Sequence, residues 1–168
     1  MKRIYIIPIF IFAVLFSSCG KDENIVFDTP FISVEPINSS SAGPISTDQE
    51  FVGEYMLYMN AQAQSQSVIV KYEIIAGDGL VEGLDYQILT EGETQSFLPG
   101  IYDLAIRIKW LRTCVRDEDN NIISDTLNDT KNTTLTIRLL SNSAGFALGY
   151  PGPDQKYKEI VIEKKKAK

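Results

Sequence analysis

The chain has 168 residues, 44% of them hydrophobic, a formal net charge of −6 and no histidine. These values supply enough apolar mass for one packed domain and remove the side chain most used for acid–base and zinc chemistry near neutral pH. They also disfavour a nucleic-acid partner, because phosphate backbones attract cations.

The first element in chain order is Lys2-Arg3, followed by an apolar run from Ile4 to Phe16 and then Ser17-Ser18-Cys19. A charged start, an apolar middle and a cysteine after two small residues read as a bacterial lipoprotein export signal. The run is 13 residues long and Pro8 interrupts it, whereas a helix crossing a bilayer needs about 20 residues. Residues 1–18 are therefore expected to be removed. Cys19 would then carry a diacylglycerol on its thiol and, as in most such lipoproteins, a third acyl chain on its amine. Each buried methylene contributes about 0.8 kcal/mol, so two or more chains make attachment stable. With Cys19 alkylated, Cys114 has no disulfide partner and no histidine to activate it.

Residues 19–30 read as the lipidated cysteine and a polar tether. Residues 31–163 carry the strand pattern, and residues 164–168 read as a lysine-rich tail. The segment 156–168 holds six lysines against Glu159 and Glu163, leaving a charge of about −12 on residues 19–155. Phe31 to Glu35 suits an edge strand, since Pro30 and Pro36 bound it. Glu50 to Asn60 carries Val52, Tyr55, Leu57 and Met59 among polar residues. In Val68 to Ala76 the alternation is clean, with Val68, Val70, Tyr72, Ile74 and Ala76 opposite Lys71 and Glu73, and a one-residue slip would bury both charges. Tyr102, Leu104, Ile106, Ile108 and Trp110 alternate with polar partners, as do Leu135, Ile137 and Leu139. Between them, 112–133 is a long polar loop with a small hairpin expected around Ile122 and Ile123. Ile160-Val161-Ile162 closes the pattern, within a last strand from Lys158 to Glu163. No long window shows helical periodicity after the export signal.

Six or seven strands joined by Gly, Pro and Asn turns predict an all-β, two-sheet sandwich, with a barrel as the alternative. The passage from Val70 to Tyr86, a V-x-Y strand followed by a Gly/Ala turn and Gly83-Leu84-Asp85-Tyr86, resembles the Calx-beta-like pattern. Phe97-Leu98-Pro99-Gly100 with the strand after it, and Thr133 to Gly149, resemble its later turns. The resemblance spans roughly residues 31–163 and implies an immunoglobulin-like sandwich with Gly83, Asp85 and Tyr86 in structural roles. Lys21-Asp22-Glu23 beside Cys19 resembles the surface-display signal of Bacteroidota lipoproteins, where such modules are common, and implies an outer-membrane, cell-surface location.

The same resemblance implies weak calcium candidates at one end of the sandwich, Asp85, Asp117 and Asp119, with Glu35, Asp78 and Glu118 as further oxygen donors. Asp117-Glu118-Asp119 does not match a 12-residue calcium loop, so no metal or other cofactor is expected. No two carboxylates stand out as a glycosidase pair. Aromatic residues are better candidates, because aromatic rings stack on the apolar faces of sugars and recur at recognition hot spots. Phe146, Tyr150 and Tyr157 lie among Gly145, Gly149 and Gly152 in a late loop and are the ligand-binding candidates; Trp110 reads as core. The expected function is a non-catalytic, surface-tethered binding or assembly module at the outer membrane, partnered by an outer-membrane protein or a glycan. A direct carbohydrate-binding lipoprotein is the alternative, and a carboxylate-dependent glycan hydrolase a weaker third.

Overall fold

In the computed structural model, which describes residues 29–37 and 43–168, the alternating segments become strands of two five-stranded sheets. Cys19 and the tether to residue 28 lie outside the described residues. The first sheet contains β1 (Phe31–Pro36), β3 (Phe51–Asn60), β5 (Tyr86–Ile88), β7 (Asp103–Trp110) and β11 (Ala147–Leu148). The second contains β2 (Ile45–Ser46), β4 (Val68–Ala76), β6 (Thr94–Phe97), β10 (Thr134–Asn142) and β12 (Glu159–Lys165). Their spatial orders are β11-β1-β3-β7-β5 and β2-β12-β10-β4-β6. The all-β, two-sheet sandwich expected from the alternation is the architecture observed, and it is consistent with a generic immunoglobulin-like domain. The long polar loop holds the small hairpin, β8 (Cys114–Arg116) paired with β9 (Ile122–Asp125).

The period-two pattern places one side-chain set of each strand between the sheets. Tyr55 and Leu57 of β3, Ile106, Ile108 and Trp110 of β7, Val70 and Tyr72 of β4, and Leu135, Ile137 and Leu139 of β10 are buried together. The two largest members share a polar contact, with the Trp110 indole Nε1–H donating to the Tyr55 hydroxyl at 2.9 Å. A buried indole N–H needs such an acceptor. Gly53 makes room for it, because a Cβ there would stand 2.9 Å from the Tyr55 hydroxyl and 3.2 Å from Trp110 Nε1.

The C-terminal strand departs from expectation. It runs from Glu159 to Lys165, so Lys164, read as the start of a solvated tail, is wholly buried. Its Nζ donates to Asp85 Oδ1 at 3.0 Å, to the Asp85 carbonyl at 3.1 Å and to the Leu111 carbonyl at 3.0 Å. Asp85 Oδ2 in turn accepts the Val81 N–H at 2.9 Å. An ammonium has three protons, and all three are used. Burial pushes the Lys164 pKa down, and the Asp85 carboxylate opposes that shift. The Gly83-Leu84-Asp85-Tyr86 turn thus joins β5 to the last strand, and Tyr86 is buried beside Trp110 with ring centroids 6.3 Å apart.

Candidate functional site

The outer face of the first sheet carries the aromatic residues that the core does not use. On β1, Ile32 and Val34 point into the core, so Phe31, Ser33 and Glu35 stand on the opposite side. On β3 the same alternation leaves Met56 and Tyr58 outside, and Tyr58 is 39% exposed. Cross-strand register sets Ser33, Tyr58 and Asp103 in one row, with Glu35, Met56 and Ala105 in the next. Outside β1, residues 149–157 run along the free edge of the strand. The Gly149 N–H donates to the Ile32 carbonyl at 2.8 Å, and the Val34 N–H donates to the Tyr157 carbonyl at 2.9 Å.

This edge docking brings Tyr150 and Tyr157 over the sheet. Tyr150 packs edge-on against Phe31 at 5.2 Å and against Tyr157 at 5.1 Å between ring centroids, the T-shaped geometry that aromatic quadrupoles favour. The Lys156 ammonium lies 4.8 Å from the Tyr157 centroid. Burial and the Glu35 carboxylate push the Tyr150 phenol up to about 12, with Tyr157 and Tyr58 adding to the shift. Glu35 also accepts the Ser33 hydroxyl at 2.7 Å. Beyond Tyr58 the face opens into a pocket of about 350 Å3 lined by Tyr58, Asn60, Tyr102 and Asp103.

The loop that delivers the tyrosines is tightly specified. Gly149 has φ +79, and a Cβ there would run into the Gln155 carbonyl and to 2.8 Å from the Lys158 nitrogen. Gln155 and Tyr157 are themselves left-handed at φ 42 and φ 63. Such a conformation costs a non-glycine residue about 1–3 kcal/mol and persists only where the surroundings impose it. Here the imposing bonds are Tyr150 N–H to the Lys156 carbonyl at 2.7 Å and the Val34 contact to Tyr157.

Of the ligand candidates read from sequence, Tyr150 and Tyr157 are therefore brought together, whereas Phe146 stands apart and packs against the core. The Asn142 side chain brackets Phe146, donating to its carbonyl at 2.7 Å and accepting its N–H at 2.9 Å. Sequence reading missed Tyr58, Glu35 and Asp103 as members of this face. The missed signal was parity, because Tyr58 occupies the strand position out of phase with Tyr55, Leu57 and Met59.

The carboxylates considered for calcium do not form a ligand set. Among the described residues no three of His, Cys, Asp and Glu stand where they could hold a metal. Asp85 is engaged by Lys164, and Asp117 accepts the Asn121 N–H and side-chain amide at 2.7 and 3.2 Å, which hold its carboxyl below the usual range. Asp119 lies in the turn of the β8–β9 hairpin. These residues do not fit a calcium ion, which takes six to eight oxygen ligands. What the first-sheet face can do chemically is stack apolar ring faces on tyrosines and accept hydrogen bonds at neighbouring carboxylates. In sequence comparison, neither a protein-family model nor a curated protein matches this chain.

Proposed function

We propose that this protein is a non-catalytic carbohydrate-binding module held at a bacterial outer membrane by lipid on Cys19. The observation that carries the reading is the array of Tyr58, Tyr150 and Tyr157 on the outer face of the first sheet, fixed by Phe31 and Glu35 beside an open pocket. Rigid tyrosines offer large stacking area at low entropic cost, and flanking carboxylates orient hydroxyl groups. The export signal supports the envelope setting. The Gly83-Leu84-Asp85-Tyr86 turn and its resemblance to Calx-beta-like modules of Bacteroidota surface lipoproteins support a tethered accessory role.

The test uses the full protein solubilised in detergent and a glycan array. Binding without change to the glycan is the expected result, and Tyr150→Ala or Tyr157→Ala should weaken it tenfold or more while the far-UV spectrum stays that of the parent. Equal affinity in both variants rejects this face. Mass spectrometry of the N-terminal peptide should find acyl chains on Cys19, and an unmodified thiol would remove the anchor. A second reading, docking onto an outer-membrane protein, is favoured by the β8–β9 hairpin, where Val115 and Ile123 are 54% and 65% exposed.

A further inference from the structure

The carbohydrate reading leaves open which sugars the aromatic face accepts, and the pairing of charges along the first sheet separates the classes. At the end near β5 the outer face is internally neutralised. Arg107 Nε meets Glu54 at 2.9 Å and Lys109 Nζ meets Glu50 at 2.8 Å. At the other end, around Tyr58, Glu35 and Asp103 have no ion pair among the described residues. Glu35 instead accepts the Ser33 hydroxyl and leans on the Tyr150 phenol. Asp103 lines the pocket beside Tyr58 and Tyr102.

A basic residue is also present at this end, with the Lys156 ammonium 4.8 Å from the Tyr157 centroid. Residues 19–168 sum to −8 with the lysine-rich end included, so the net charge has the same sign as the two carboxylates. An approaching uronate or sulfate would meet unpaired like charge beside low-dielectric ring faces, a repulsive arrangement that works as selection against wrong partners. A neutral sugar would find acceptors for its hydroxyls, and an amino sugar would also find counter-charge and ring faces suited to a cation.

We infer that the face formed by Tyr58, Tyr150 and Tyr157 with Glu35 and Asp103 takes glycans without negative charge, neutral or amino-bearing, and rejects those carrying uronate or sulfate. This rests on the carbohydrate reading of the same face. The experiment is calorimetric titration of the detergent-solubilised full chain with a neutral β-glucan, a neutral mannan, chitosan, polygalacturonate and a sulfated galactan, at low and at physiological salt. A neutral polymer or chitosan should bind at least tenfold more tightly than either anionic polymer, and salt should narrow the gap. The double variant Glu35→Gln, Asp103→Asn keeps side-chain oxygens as acceptors and should raise the anionic-to-neutral affinity ratio at least tenfold.

Anionic polymers binding as tightly as neutral ones would overturn the charge selectivity while leaving carbohydrate binding in place. An unchanged ratio in the double variant would overturn the assignment to these two carboxylates. Failure of every polymer to bind would overturn the carbohydrate reading, and the selectivity with it.

Discussion

Two of the contacts that tie the last third of the chain to earlier residues are built on opposite terms. Lys164 enters the interior, loses all contact with solvent and has each proton matched by an oxygen. Tyr150 and Tyr157 stay at the surface, half-buried, in a loop that pays for its shape with left-handed backbone. The interior contact is polar where the core is apolar, and the surface contact is apolar where the exterior is polar. A buried charge is retained only if its partners are complete, so Lys164 holds one arrangement of the chain. Tyrosines kept partly in water retain free area for something else to cover.

The largest expected effect comes from breaking the interior tie. Lys164→Ala would strand the Asp85 carboxylate, which is 3% exposed, with the Val81 N–H as its remaining donor. Removing one partner of a buried pair costs about 3–5 kcal/mol, a large share of the 5–15 kcal/mol that holds a typical domain. Urea denaturation measures it as a fall in midpoint at unchanged slope. Lys164→Met combined with Asp85→Asn removes the stranded charge and keeps an oxygen for Val81, so it should recover about 1 kcal/mol or more over Lys164→Ala. A loss below about 1 kcal/mol in Lys164→Ala would show that solvent reaches the pair.

The next effect separates an inner phenol from an outer one by pH. Tyr55 is pushed up to about 12 by burial, against the opposing Trp110 N–H donor, whereas the Tyr150 shift also draws on Glu35. Both phenols are neutral in the folded protein at pH 10, where the unfolded chain begins to lose its phenolic protons. The unfolded state then binds fewer protons, so stability is complete below about pH 10 and falls as pH rises towards 12. For the buried Tyr55 the two-unit difference corresponds to roughly 3 kcal/mol. Tyr55→Phe should flatten the alkaline limb of stability against pH. At pH 7 it should cost about 1–3 kcal/mol, because the Trp110 N–H loses its acceptor. Tyr150→Phe should flatten the limb less, since water screens its partly exposed ring. Equal flattening by the two variants would place Tyr150 in the interior.

How far these two ties were legible in the sequence follows from what each depends on. Val68 to Ala76 matches its strand residue for residue, because alternation is local and burial of one face enforces it. Trp110 was readable as core for the same reason. Lys164 was not, since six lysines near a terminus resemble a solvated end, and a single one drawn inward is decided by three oxygens distant in sequence. Tyr150 and Tyr157 were recognisable as ligand candidates by type, set among glycines. Their neighbours Glu35 and Tyr58 became visible only through the pairing of β1 with β3 and the return of the loop along β1, which are matters of topology. Phe146 shares the type of the other candidates, but it packs against the core, with its backbone bracketed by the Asn142 side chain four residues earlier.

The smallest expected effect is the one that separates stability from binding at the surface tie. Tyr157 occupies φ 63, which asparagine tolerates better than a bulky residue does. Tyr157→Asn would relieve backbone cost of about 1 kcal/mol and lose the edge contact with Tyr150, worth about 0.5–1.5 kcal/mol. The two changes oppose each other, so the urea midpoint should shift by less than the equivalent of about 1 kcal/mol. Glycan affinity should still fall tenfold or more, because the ring beside Tyr150 on the proposed binding face is gone. A large stability loss with glycan affinity retained would make Tyr157 a structural residue and shift the binding burden to Tyr58 and the pocket beside Asp103. A preserved fold that no longer binds would show that the loop accepts its strained backbone for the sake of the surface it presents.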